Sequence, residues 1–379
     1  MARAAGAGRG GLTLRVRDLG EFPLIDRLAA RLGPYGKDVV VGLGDDTAVI
    51  RKSEDRLYLV TCDIQVAGVH FLPEAVTPRR LGRRIAAINL SDIGAMGGEP
   101  RHFLISLAVP PDTEAAFLDD LYRGLVETAG RFGADVVGGN VSRHDALVID
   151  AFLLGEVEAG REVLRSGARP GDLVMVTGRL GASRAGLALL LGEADGGPAV
   201  PGDVRERVLA AHQEPEPRVR EGRVISRLGG ATAMIDLSDG LASDVGHICD
   251  ASGVGVLLRE EALPVDEDTL AVAALVEAAT AARKEAAGPS GRADGHMDAA
   301  RAQAVRWALT GGEDYELCFT AAPRAAERLA AEVESATGTP VTVIGEVLPP
   351  EGGRWLVRAD GRRVPLEAAG WDHLRTEEA

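Results

Sequence analysis

Apolar runs in this chain repeatedly end on a glycine or other small residue set beside a carboxylate: GLGDD at 42–46, TCD at 61–63, NLSD at 89–92, IDLSDG at 235–240 and GGED at 311–314. GGN at 138–140 has the same shape with an amide in place of the acid. Taken singly, each is ordinary turn or helix-cap chemistry. Together they say more, because turn carboxylates are normally solvated and need not follow buried strands so regularly. Strand ends within one domain gather on one rim. Asp46, Asp63, Asp92 and Asn140 are therefore expected to converge from a first unit, and Asp236, Asp239 and Glu313 from a second. Such a cluster repels itself unless a cation joins it, and Mg²⁺ suits oxygen donors, a few carboxylates and phosphate oxygens. Glycines let backbone approach a polyphosphate closely.

The chain between these motifs reads as two α+β units. DVVVGLG, TAVIR and RLYLVTCDI, from Asp38 to about Ile64, predict strands, and RRLGRRIAAINLSDIGAMG from Arg79 a helix. RHFLISLAVP is a strand, PDTEAAFLDDLYRGLVETAGRFG a helix ending on Gly133, and ADVVGGN and ALVIDAFLLGEVE two further strands. RSGARPGD, at 165–172, is a turn-rich connector. The expected division is a mobile tail over 1–17, a first domain over 18–160, and a second domain over 161–379. In the second, DLVMVTG, ATAMIDLS, GVGVLLRE, YELCFTA and VTVIGEVLP are strands, and SRAGLALLLG, SDVGHICDASG and a stretch from Arg324 are helices. The alanine-rich stretch 273–298 predicts a helix running into a loop rather than core, with a flexible insertion at about 276–300.

Composition removes several function classes. A length of 379 residues suits two modest domains, and 46% hydrophobic residues exclude wholesale disorder. The formal charge of −15 and only 4% aromatic residues disfavour a nucleic-acid partner. Cys62, Cys249 and Cys318 are widely separated and form no CxxC pair, so neither a disulfide scaffold nor a zinc site is indicated and a reducing cytoplasm is expected. The basic, Gly/Ala-rich N-terminus lacks the apolar centre of a signal peptide, and no apolar run approaches the roughly 18 residues of a membrane span.

GxxxxGK[ST] is absent, GLGDDT breaks the GxGxxG pattern with carboxylates, and no protein-kinase catalytic loop is present. In this order, however, GLGDDTAVI, TCDIQVAGVHF, NLSDIGAMGGEP, GGNVSR, LRSGARPGD, IDLSDGLASD and LTGGEDYELCFT resemble the thiamine-monophosphate kinases, of the superfamily that also holds aminoimidazole ribonucleotide (AIR) synthetase. The resemblance runs from about Asp18 to His373, skipping the insertion. It implies a two-domain AIR-synthase-like α+β fold, with the N-terminal domain pairing across a homodimer to close a β-barrel and the C-terminal domain an α/β sandwich. The implied reaction is Mg²⁺-dependent, in-line transfer from ATP to thiamine monophosphate, giving thiamine diphosphate.

By the same resemblance Asp46, Thr61, Asp63, Asp92, Asp236 and Asp239 fall on magnesium positions, and Gly139, Asn140, Arg165 and Ser238 on ATP positions. His70, Glu313 and Trp371 fall on substrate positions, and no catalytic side chain is implied. Asn140 stands where the family usually has a metal-binding Asp and Cys62 where Thr is common. The amide still offers an oxygen without charge, whereas Cys62 serves a magnesium site only through its backbone carbonyl. Without the resemblance, His70 reads as a packed residue, Arg165 as a surface charge and Trp371 as a pin for the tail; with it, Trp371 is suited to stack on a cationic ring. The competing readings are a ligase-like relative sharing the ATP site, and a non-catalytic Mg-nucleotide-binding paralogue.

Overall fold

The computed structural model describes residue 16 and residues 21–287 and 296–367, so the mobile tail expected over 1–17 lies, but for residue 16, outside the described residues. Helix α1 (Glu21–Ala29) belongs to a separate unit from the chain that begins at Lys37. It carries Glu21 in its first turn and Arg27 in its last, charges that complement the helix dipole.

From Lys37 the chain first forms β1 (Val39–Val41), β2 (Ala48–Arg51), β3 (Arg56–Val66), α2 (Pro78–Ala95), β4 (Glu99–Val109), α3 (Ala115–Arg131), β5 (Asp135–Arg143) and β6 (Val148–Glu158). The strands make one six-stranded sheet in the order β1-β2-β3-β6-β4-β5. Only β4 and β5 run parallel, joined through α3 as a parallel pair requires. Burial alternates along β6, with Ile149, Ala151, Leu153 and Val157 fully buried between half-exposed neighbours. That period of two marks a sheet covered on one face only. The cover is α2 and α3. They cross at glycine contacts: a Cβ on Gly82 would stand 1.9 Å from the Leu121 carbonyl oxygen, and one on Gly124 1.9 Å from that of Arg79. Pro78 opens α2, and Thr77 caps it by accepting a hydrogen bond from the Arg80 amide. The sheet is open within the chain, with β1 and β5 as its edges, so no barrel closes here.

The chain continues with β7 (Leu173–Thr177), α4 (Ala182–Leu190), α5 (Gly202–Gln213), α6 (Val219–Leu228), β8 (Ala231–Asp236), α7 (Leu241–Ser252), β9 (Gly255–Arg259), α8 (Glu267–Ala287), α9 (His296–Thr310), β10 (Leu317–Ala321), α10 (Pro323–Thr337), β11 (Val341–Leu348), β12 (Arg354–Val357) and β13 (Arg363–Pro365). A seven-stranded sheet results, ordered β13-β12-β9-β11-β7-β10-β8. Alternate residues serve opposite cores. Val174, Val176, Ile235 and Cys318 pack with Leu241, Val245 and Ile248 of α7, while Met175, Met234 and Phe319 pack with Ile225 of α6 and Leu329 and Val333 of α10. Burial on both faces explains why these strands read as continuous apolar runs.

One expectation is corrected. The first part of the stretch 273–298 belongs to the core: Ala273, Val276 and Ala279 of α8 pack with Ala304 and Trp307 of α9 and with Ala185, Ala188 and Val208. Alanine hides this in the sequence, because a small side chain lowers local hydrophobicity while letting helices approach closely. The insertion expected at 276–300 therefore begins and ends in buried residues, Val276 and Ala300, and residues 288–295 lie outside the described part. Helix α5 and strands β12 and β13 arise where the sequence predicts no element.

Candidate active site

Helix α2 links the two sheets. Its last turns carry Ser91 and Asp92, and Ser91 Oγ donates to Asp236 Oδ2, at the end of β8, at 2.6 Å. Asp46 arrives on the glycine-rich loop between β1 and β2. One carboxylate oxygen from each of Asp46, Asp92 and Asp236 lies within 4.8 Å of the other two. Thr61, on β3, donates its hydroxyl hydrogen to Asp92 Oδ2. On the connector, Arg165 donates to Asp46 Oδ1 from Nη2 at 2.6 Å and from Nε at 3.2 Å, and its backbone amide donates to Asp45 Oδ2 at 3.1 Å.

The electrostatics leave this group short of positive charge. Burial, opposed by Arg165, raises Asp46 above the usual carboxylate range. Burial together with Asp46 pushes Asp236 up to about 8. Asp92 lies well above the ordinary range through burial and then through Asp63, Asp236 and Asp46. Asp63 is raised to about 6 by burial, Asp150 and Asp239. Burial is the first cause in all four, and for Asp63, Asp92 and Asp236 the neighbouring acids add to it. The buried Asp46 Oδ2 has no hydrogen-bond partner among the described residues. Two oxygens bound to one Mg²⁺ at about 2.1 Å stand at most about 4.2 Å apart, so these all-oxygen donors fit that ion with little movement.

A second wall is built from helix α7 and the loops before it and after α9 in the seven-stranded half. The Asp239 amide donates to Asp244 Oδ2 at 3.2 Å, and Asp239, Asp244 and His247 form a further close group. The Glu313 and Tyr315 amides donate to the carbonyls of Ser238 at 2.7 Å and Leu237 at 2.9 Å. The GGED segment is thereby stitched to the loop that carries Asp236 and Asp239.

Not every sequence candidate joins this group. Along β3, Leu57, Leu59 and Gln65 are buried toward the helices, and Thr61 and Asp63 share their parity. Cys62 has the opposite parity, so its exposed side chain points to the uncovered face. Asn140 also lies on that face, in register with Ser106 and, through it, with Asp150. Gly139 is in register with Ile105, Ala151 and Asp63, three strand spacings or about 14 Å from β3. The convergence expected of Asn140 with the acids of its own unit is thus corrected: β5 is the far edge strand, and a register shift between Phe103 and Leu104 sets its parity. His70 sits in the turn after β3 and accepts from the Val66 amide at Nδ1, 3.1 Å. Trp371 lies outside the described residues. The sequence reading missed Asp45, Ser91 and Asp244. The repeated Ser-Asp pairs at 91–92, 238–239 and 243–244 were the available signal.

Residues 44–157 match the family model described as AIR synthase related protein, N-terminal domain, and residues 169–357 the one described as its C-terminal domain. The fold and the site thus define a two-domain protein of the AIR synthase related class. Within it, the chain is 36% identical to the thiamine-monophosphate kinase of Escherichia coli O157:H7 over 358 residues, covering 94% of this chain and 99% of that one. It is 34% identical to the thiamine-monophosphate kinase of Bacillus subtilis over 356 residues, with the same coverage. The solved structure of AaThiL complexed with AMPPCP and TMP superposes with a TM-score of 0.74 at 33% identity, over 96% of this chain and all of that one. The chain belongs to the thiamine-monophosphate kinase family.

Proposed function

We propose that this protein transfers the γ-phosphoryl group of ATP to the phosphate of thiamine monophosphate, giving thiamine diphosphate and ADP. The observation that carries this reading is the meeting of Asp46, Asp92 and Asp236, drawn from both halves of a chain of this family. The acceptor is a phosphate oxygen already ionised near neutral pH, since a phosphate second pKa is about 6. No side chain has to remove a proton. The protein must instead hold two polyanions together within an acidic molecule.

Asp46, Thr61, Asp63, Asp92, Asp236 and Asp239 are assigned to hold Mg²⁺, with Cys62 contributing at most its backbone carbonyl. Bound there, Mg²⁺ supplies neutralisation of phosphate charge and alignment of the reacting oxygens. Arg165 presents a fork-shaped donor beside Asp46 and is assigned, with Ser238, Gly139 and Asn140, to ATP. His70, Glu313 and Trp371 are assigned to thiamine monophosphate.

The active form is proposed to be a cytoplasmic homodimer whose six-stranded sheets pair into a barrel. Ile64, Leu104, Val137 and Val141 support this, since they are 43–67% exposed on strands β3, β4 and β5 of that sheet. No described helix is long and apolar enough to cross a membrane. The domain division is proposed at residue 160, between the last strand of the first sheet and the connector. The direct test is incubation of purified protein with thiamine monophosphate, ATP and Mg²⁺. Equal amounts of thiamine diphosphate and ADP are expected; ADP with inorganic phosphate, or no product, contradicts the reading.

A further inference from the structure

Arg84 is 2% exposed, among the largest fully buried side chains in the molecule. It stands on α2 two turns before Asp92, about 12 Å along the helix and on the same face. A charge at this depth requires partners. Three other elements supply them: Nη1 donates to the His212 carbonyl at the end of α5, Nη2 to Glu313 Oε1, and Nε to Gln65 Oε1 of β3 at 3.4 Å. The other Glu313 oxygen lies 3.3 Å from His212 Nδ1, which is itself 3.1 Å from Ser183 Oγ. Burial holds His212 down to about 4, so that ring is neutral in the physiological range and adds no charge.

The backbone that presents Glu313 is strained. Glu313 has φ 59° and Tyr315 φ 51°, left-handed values that L side chains rarely adopt. The hydrogen bonds to Ser238 and Leu237 and the ion pair to Arg84 together hold that turn. Strain kept at a partly exposed, ion-paired carboxylate points to use rather than packing. The pair is also oriented: the Glu313 side chain is 30% exposed and that of Arg84 2%, so the negative end faces outward and the positive end is sealed inside.

We propose that Arg84 is a positioning residue, which fixes the Glu313 carboxylate as the anion that meets the cationic ring of the acceptor substrate while the far end of α2 serves the phosphates. The inference rests on the assignment of Glu313 to thiamine monophosphate. One helix then sets both ends of the site, Arg84 at the organic cation and Asp92 at the polyanion.

The test measures the affinity of the full chain for thiamine monophosphate by calorimetry without ATP, and KM for both substrates. The variants are Arg84→Met, Arg84→Lys, Glu313→Gln and the Arg84→Met/Glu313→Gln pair. Arg84→Met is expected to weaken thiamine monophosphate binding by about tenfold or more with KM for ATP unmoved. Arg84→Lys, which keeps the charge and loses the fork, should fall between it and the parent, and the double variant should be no weaker than Glu313→Gln alone. Equal losses for both substrates, or additive losses in the double variant, overturn the inference. Unchanged affinity in Glu313→Gln overturns the assignment of Glu313 itself. Weakening in Glu313→Gln but not in Arg84→Met overturns only the role of Arg84. Should Arg84→Met fail to fold, Arg84→Lys decides by the same criteria.

Discussion

Ser91 Oγ donates to Asp236 Oδ2 at 2.6 Å, a buried hydrogen bond between helix α2 of the six-stranded half and strand β8 of the seven-stranded half. It fixes the carboxylate of one half against the helix that carries Asp92, so the acid group exists only when the two halves are docked. Ser91→Ala removes the donor and leaves a buried acceptor short of a partner. A loss of about 1–2 kcal/mol in urea unfolding is expected, together with a higher Mg²⁺ requirement for turnover. Unchanged values of both would mean that this bond does not hold the site together.

The metal-free protein should lose stability as pH rises. Asp45 and Asp63 are raised to about 6 and Asp236 to about 8, each first by burial, against about 3.9 for an unfolded Asp. Between those values the folded protein keeps protons that the unfolded chain has released, so their contribution is full below about pH 4 and is lost as pH climbs through 6 and 8. Groups shifted the other way oppose this only at lower pH: carboxylates such as Glu158, at about 2 through its bonds to Arg223, below about pH 5, and histidines such as His212, held down to about 4 by burial, below about pH 7. Melting temperatures in EDTA should therefore fall from pH 7 to pH 8 as Asp236 ionises, and added Mg²⁺ should raise the melting temperature more at pH 8. A metal-free melting temperature that rises over this range would contradict the acid cluster.

Much of this is legible in the sequence. The glycine/acid segments located Asp46, Asp92 and Asp236, and their apolar flanks located most strands. What escaped was parity and distance. Thr61 and Asp63 differ from Cys62 only by facing the other side of β3, which a three-residue motif does not display. Asn140 stands apart because of a register shift between Phe103 and Leu104, a property of pairing between strands. Arg84 and Glu313 are 229 residues apart, and nothing local announces that a helix-borne arginine closes on a distant loop. The alanine-rich stretch reads as a helix, but its weak hydrophobicity hides that α8 belongs to the core, where Ala273 and Ala279 are fully buried.

Residue 140 offers an amide oxygen where an acid would add charge. Asn140→Asp should leave the Mg²⁺ concentration that gives half the maximal rate unmoved, with little change in thermal stability, because the position is exposed on the uncovered face of an edge strand, apart from Asp46, Asp92 and Asp236. A half-saturating concentration that falls would place residue 140 among the metal ligands.

The central claim is that Asp92 and Asp236, one from each half, would hold one metal ion in common, which would neutralise phosphate charge. The most direct measurement is steady-state formation of thiamine diphosphate by Asp92→Asn and Asp236→Asn at saturating Mg²⁺, alongside Mn²⁺ binding followed by electron paramagnetic resonance. Both variants should fold, lose at least one tightly bound Mn²⁺ and turn over about a thousandfold more slowly or less. Near-parental turnover in either variant, with its Mn²⁺ stoichiometry intact, would contradict the shared-metal account.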